Sequence, residues 1–217
     1  TAADVKKLRD ATGAGMMDAK RALEANDGSF DDAAQWLREN GIAKAATRSD
    51  RENTEGAVGT FLDRDRGVAT LVLLKCETDF VANKEDFINL AHELAALVAE
   101  SGESAVDQRK DDLDTMKITL KENIEVGDVV RVHADAGDVL DVYAHTADGR
   151  CTNGIIVHLR DGGTVEVAHS IGMHIAFAKP EFLTKEEIPG ERIEAERATY
   201  EAIARNEGKP DGAIPKI

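Results

Sequence analysis

The chain has 217 residues, 42% of them hydrophobic and 32% charged, which suits one sizeable folded core or two or three small ones. Its formal net charge of -15 repels a phosphate backbone, and only 4% of residues are aromatic, so direct nucleic-acid binding is disfavoured by charge and by a shortage of stacking platforms. Two cysteines without CxxC spacing, no apolar run near the roughly 18 residues of a membrane span, and a start, TAADVKKLRD, without a signal core predict a reduced, cytoplasmic protein lacking disulfides and structural zinc. The acidity steers toward a basic patch on a protein partner or simply maintains solubility, and charge alone does not choose between them.

The first predicted helix starts at Thr1 and Asp4, which have capping-box spacing ahead of VKKLRDA. TGAG, residues 12–15, breaks it, MMDAKRALEAN forms a second helix, and Ser29 with Asp32 caps a third that is expected to end at Gly41. Val5, Leu8, Met17, Leu23, Phe30, Ala33, Trp36 and Leu37 supply the small shared core of a three-helix module over residues 1–41. Residues 42–55, polar and without sustained apolar periodicity, read as a linker.

The period then changes. Residues 56–62 and 68–76 read as a hairpin around DRDRG, and Phe87, Leu90, Ala91, Leu94, Leu97 and Val98 follow at helical spacing. Residues 105–123 read as a charged helix and 128–135 as a further strand. The order strand, strand, helix recurs over residues 138–146, 154–161 and 165–178, Lys179-Pro180 stops that helix, and a polar helix is predicted over 191–206. The expected fold class is α+β: the helical module, then a core of two related subdomains, 56–137 and 138–217, with helices packed on one face of antiparallel strands.

Convergent catalytic groups are hard to find. His92-Glu93 begins like a zinc-protease helix, but Ala96 stands where the second histidine belongs. His169 and His174 are five residues apart, off the spacing of a shared helix face. Ser170 lies in no GxSxG elbow, Cys76 has no neighbouring histidine in sequence, and no phosphate-cradling glycine loop occurs. The chain therefore reads as having no catalytic residue, cofactor or metal ligand of its own.

Two junctions stand out instead. Met16 and Met17 are adjacent, so on a helix they point about 100° apart; either one is left exposed or a loose bundle buries both. In CETDFVANKEDF, residues 76–87, Thr78 or Asp79 reads as a helix cap; Phe80 is then either a hydrophobic staple onto the next helix or an exposed wedge beside a charged Asp79.

TGAGMMDAKRALE (12–24), CETDFVANKEDF (76–87) and MHIAFAKPEFL (173–183) resemble, in order and spacing, three signatures of the bacterial translation elongation factor Ts family. The resemblance implies an N-terminal module related to ubiquitin-associated domains, a two-part α+β core, and guanine-nucleotide exchange on the GTPase elongation factor Tu. It implies that Thr78, Asp79, Phe80 and Val81 approach the partner's magnesium and phosphate region, with Met16, Met17 and Lys20 touching the GTPase domain beside it. His145 and Leu120 are further implied contacts, although the link TADGRCTN after His145 is longer than the family's, and ITLKEN carries Lys121 where the family usually has glycine. Family chains continue past GKPDGAIPKI into a helical hairpin and a last partner-binding segment, whereas this chain stops at Ile217. The rival class is a non-exchanging interaction protein, such as a small chaperone or a ubiquitin-like-binding adaptor, which co-purification with a nucleotide-free GTPase would distinguish; homodimerisation stays open.

Overall fold

Local capping explains why helices come first. In the computed structural model, which describes residues 1–210, helix α1 (Ala2–Thr12) starts at Thr1, whose hydroxyl and backbone pair reciprocally with Asp4, and stops at Gly13 with a left-handed φ of 67°. Helix α2 (Met16–Ala25) follows, and α3 (Phe30–Ala46) begins where the Ser29 hydroxyl accepts the Asp32 N–H at 3.4 Å. Leu8, Ala19, Ala22, Leu23, Ala33 and Leu37 bury one another between the three helices. Met17, expected in this core, is instead 65% exposed.

Strands β1 (Glu55–Asp63) and β2 (Val68–Cys76) pair antiparallel, with Glu55 opposite Cys76. The connection after β2 holds α4 (Asp79–Ala82), α5 (Glu85–Ser101), a 3-10 stretch (Glu103–Arg109) and α6 (Lys110–Leu120), so the predicted charged helix is split in two. Strand β3 (Glu125–His133) then joins the other edge of β2, giving the order β1-β2-β3. Strands β4 (Val139–Ala147) and β5 (Arg150–Leu159) form a separate two-stranded sheet, followed by α7 (Val165–Ala178). The repeated strand, strand, helix order is thus present, in a mixed α+β fold with antiparallel sheets. By internal contacts the chain divides into two units, residues 1–177 and a second beginning at Ala178 that contains α8 (Gly190–Asn206). The end of the predicted second subdomain, residues 211–217, lies outside the described residues.

Two boundaries differ from expectation for physical reasons. Helix α3 does not stop at Gly41, because the glycine serves packing: a Cβ there would lie 2.8 Å from Ile118 Cγ2 on α6. Strand β5 begins at Arg150 rather than Gly154, because the long link after His145 is taken up as paired strand around the two-residue turn Asp148-Gly149. Both turn residues have positive φ, 52° and 85°, the mirror-image turn that suits strand twist, and the surplus residue appears as a register shift between His145 and Thr146.

The largest core forms where Val72, Leu74 and Cys76 on one face of β2 meet Phe87, Leu90, Ala91, Leu94 and Val98 of α5. Thr70 is fully buried on this face because its hydroxyl donates to the Ala95 carbonyl at 2.7 Å. Ala69, on the other face of β2, packs with Leu140 of β4, joining the two sheets. In the second repeat Ala168 of α7 buries against Ile155 and Val157 of β5.

Lys121 closes α6 in the left-handed region, at φ 61°. A side chain with a Cβ is strained there by roughly 1 kcal/mol. Lys121→Gly should therefore raise the thermal midpoint by about 2–4 °C, as read by circular dichroism; a lowered midpoint would show that the lysine side chain contributes more than its backbone costs.

Candidate functional site

The turn after β2 is held by a carboxylate from a distant segment. Glu122, just past α6, accepts the backbone N–H groups of Glu77 at 3.0 Å and Thr78 at 3.1 Å, and the Thr78 hydroxyl at 2.5 Å. Glu77 points the other way, accepting the Asn123 N–H at 2.7 Å and pairing with Arg51 at 3.3 Å. The Asn123 amide in turn donates to the carbonyls of Ser49 and Arg51 at 3.2 and 3.0 Å. Backbone and side-chain polar groups on both sides of the turn are thus satisfied, which makes it a rigid platform.

Thr78 sits extended, at φ -126° and ψ 153°, and its oxygen caps α4 by accepting the Val81 N–H at 3.4 Å. The cap half of the sequence reading is therefore observed, with Thr78 as the cap. The staple half is not: Phe80 is 82% exposed, and Phe87, fully buried, is the aromatic that enters the core. Burying a phenylalanine is worth about 1.5–3 kcal/mol, a gain this turn forgoes. Asp79 is exposed beside Phe80. Val81, to which the resemblance gives a contact role, is 5% exposed and packs inward with Ala82 and Phe87, so it anchors the turn from below.

Cys76, immediately before the turn, is fully buried and bonded to the Thr78 carbonyl at 3.3 Å. Burial first, and then the Glu122 charge, push its thiol up to about 12, away from any nucleophilic role. Burial also raises the Cys151 thiol. Neither should react with Ellman's reagent at pH 8 in the native protein, whereas both should on unfolding; fast native labelling of Cys76 would show that the turn opens.

The helical module presents a second surface. Ala19, Ala22 and Leu23 bury one face of α2, whereas Met16 and Met17 are 46% and 65% exposed and Lys20 is exposed, its ammonium 3.7 Å from Glu24. Neither alternative read from the sequence describes the pair, since both methionines face solvent. The module is seated on α6: Gly13 lies against Thr119, Arg48 donates to the Lys117 carbonyl at 3.2 Å, and Arg38 pairs with Asp111 at 3.0 Å. The helix that seats the module therefore runs directly into Glu122, which anchors the Phe80 turn.

Leu120 is half-buried against the α5 core, so it is an internal packing residue more than a presented one. His145 is exposed on β4, with its ring Nδ1 3.4 Å from the Tyr143 hydroxyl. Sequence reasoning missed Glu122, Asn123 and Arg51 as supports of the turn. The acid Glu77 was the only local hint of them, since their pairing depends on the fold. Among the described residues no group of three or more His, Cys, Asp or Glu side chains is arranged to hold a metal ion, and no helix is long and apolar enough to cross a membrane.

Comparison with known proteins gives a consistent result. Residues 77–217 match the family profile described as "Elongation factor TS". Elongation factor Ts of Clavibacter michiganensis subsp. michiganensis (strain NCPPB 382) is 43% identical over 229 residues, covering 100% of this chain and 81% of that protein. The proteins of the same name from Corynebacterium aurimucosum and Clostridium botulinum (strain Alaska E43 / Type E3) are 37% and 38% identical, with 81% and 75% of their lengths covered.

Proposed function

The chain belongs to the elongation factor Ts family, and from that premise we propose that it is a cytoplasmic exchange factor that binds elongation factor Tu carrying GDP, promotes GDP release and so permits GTP loading. The observation that carries this reading is Phe80, 82% exposed on a turn whose Glu77 and Thr78 are tied to Glu122. A backbone held in this way presents the ring at a fixed point on the surface, so that a partner must accommodate it.

In this mechanism Phe80 wedges between elements of the GTPase near its bound magnesium, and Asp79 disturbs the polar network holding that ion. Weakening the ion's bridge removes a large electrostatic share of phosphate binding. Met16, Met17 and Lys20 dock on the GTPase domain beside this site, and His145 adds a contact from the second repeat; the exposure of all four supports these roles. The chain supplies binding energy only, with no covalent chemistry or cofactor.

Release of a fluorescent GDP analogue from elongation factor Tu tests the proposal. Substoichiometric chain should accelerate release with multiple turnovers. Unchanged release at saturating chain would refute exchange, and stable association without acceleration would identify an adaptor instead.

A further inference from the structure

The four-residue helix carrying Phe80 is fastened at both ends, and the second fastening comes from the other repeat. Asn83 is the C-cap of α4, its N–H directed to the Asp79 and Val81 carbonyls. Its side-chain oxygen accepts from Arg150 Nη1 at 2.5 Å, while Arg150 Nη2 reaches Glu55 on β1 at 2.6 Å. Arg150 is 8% exposed, and its Nε is buried without a hydrogen-bond partner. Burying a guanidinium with one N–H unpaired carries a desolvation cost that its bonds to Asn83 and Glu55 must offset. Such a cost is commonly found where geometry serves function.

We propose that Arg150 is a positioning residue for the exchange turn, acting through Asn83 to fix the direction in which Phe80 points. This rests on the exchange reading above. Arg150 opens β5 directly after the Asp148-Gly149 turn, on the same hairpin in which His145 pairs with Asn153. A partner that engages His145 thus grips the same hairpin end from which Arg150 holds the Phe80 helix, and the two contacts act as one rigid unit. Glu122 fixes the N-terminal end of α4 and Arg150 its C-terminal end, so removing either leaves Phe80 exposed but no longer aimed.

Two variants cut the link from opposite ends. Arg150→Met keeps length and apolar bulk, and Asn83→Ala alters an exposed residue, so at least one should fold. Each should lower the GDP release rate at saturating factor about tenfold, while the half-saturating concentration moves less than threefold, because docking through Met16, Met17 and His145 persists. Arg150→Lys, which reaches one partner instead of two, should recover part of the rate. Amide hydrogen exchange provides a readout that needs no partner: Ala82 and Asn83 should exchange about tenfold faster in both variants, with β2 amides unchanged. Folded variants with wild-type saturated rates and wild-type protection of α4 would overturn the proposal. If wild-type chain itself fails to accelerate release, the exchange reading falls, and the α4 protection still decides whether Arg150 positions the turn.

Discussion

Phe80→Ala should remove most of the acceleration of GDP release while leaving the fold intact. The side chain is 82% exposed, so its truncation should change stability by no more than about 0.5 kcal/mol. Truncating an aromatic anchor at the centre of an interface typically costs 2 kcal/mol or more, which corresponds to roughly a thirtyfold loss of exchange efficiency. Because the wedge acts by bulk, Phe80→Leu should retain more activity than Phe80→Ala. Stopped-flow release of fluorescent GDP, paired with thermal melts, reads both quantities. Equal acceleration by Phe80→Ala and wild type would remove the wedge, and a large fall in melting temperature with unchanged exchange would restore the staple.

Gly59→Ala should produce the largest loss of stability. A Cβ at this position in β1 would lie 1.8 Å from the Ala91 carbonyl oxygen and 2.7 Å from the His92 nitrogen. Both are backbone atoms of α5, so no side-chain rotation relieves the clash and the helix itself must shift. Overpacking of this kind costs about 3 kcal/mol or more, which for a chain of this size lowers the melting midpoint by roughly 6–12 °C. Since only Asn83 and Lys84 separate α4 from α5, the shift should also misplace Phe80 and reduce exchange. A midpoint within about 2 °C of wild type would show that β1 and α5 do not approach this closely.

What could be read from the sequence, and what could not, follows from the range of the interactions. The Thr1–Asp4 box, the Ser29 cap, the Gly13 stop and α7 over residues 165–178 were all legible, because each is decided within a turn or two of chain. Gly41 was misread because glycine marks both helix ends and close helix contacts, and only the position of Ile118 distinguishes them. The resemblance gives Val81 a contact role with the rest of its motif, but a short helix must turn some residues inward, and Val81 and Ala82 fill that place. The supports of the turn were invisible for a simpler reason. Thr78 and Glu122 are 44 residues apart, and Asn83 and Arg150 are 67 apart. No local pattern signals such pairs. Phe80 lies between these cases: the sequence raises both the staple and the wedge, and the structure, with Phe87 in the core and Phe80 82% exposed, removes the staple.

The coupling between nucleotide and factor on the GTPase tests the central claim most directly. By linkage, a factor that weakens GDP binding to elongation factor Tu must itself be weakened by GDP to the same extent. Titration calorimetry of the chain into elongation factor Tu, nucleotide-free and then saturated with GDP, should show markedly tighter binding to the empty GTPase, by the same ratio by which saturating chain raises the dissociation constant of GDP. Equal affinity for the two forms would contradict exchange, however tightly the chain binds.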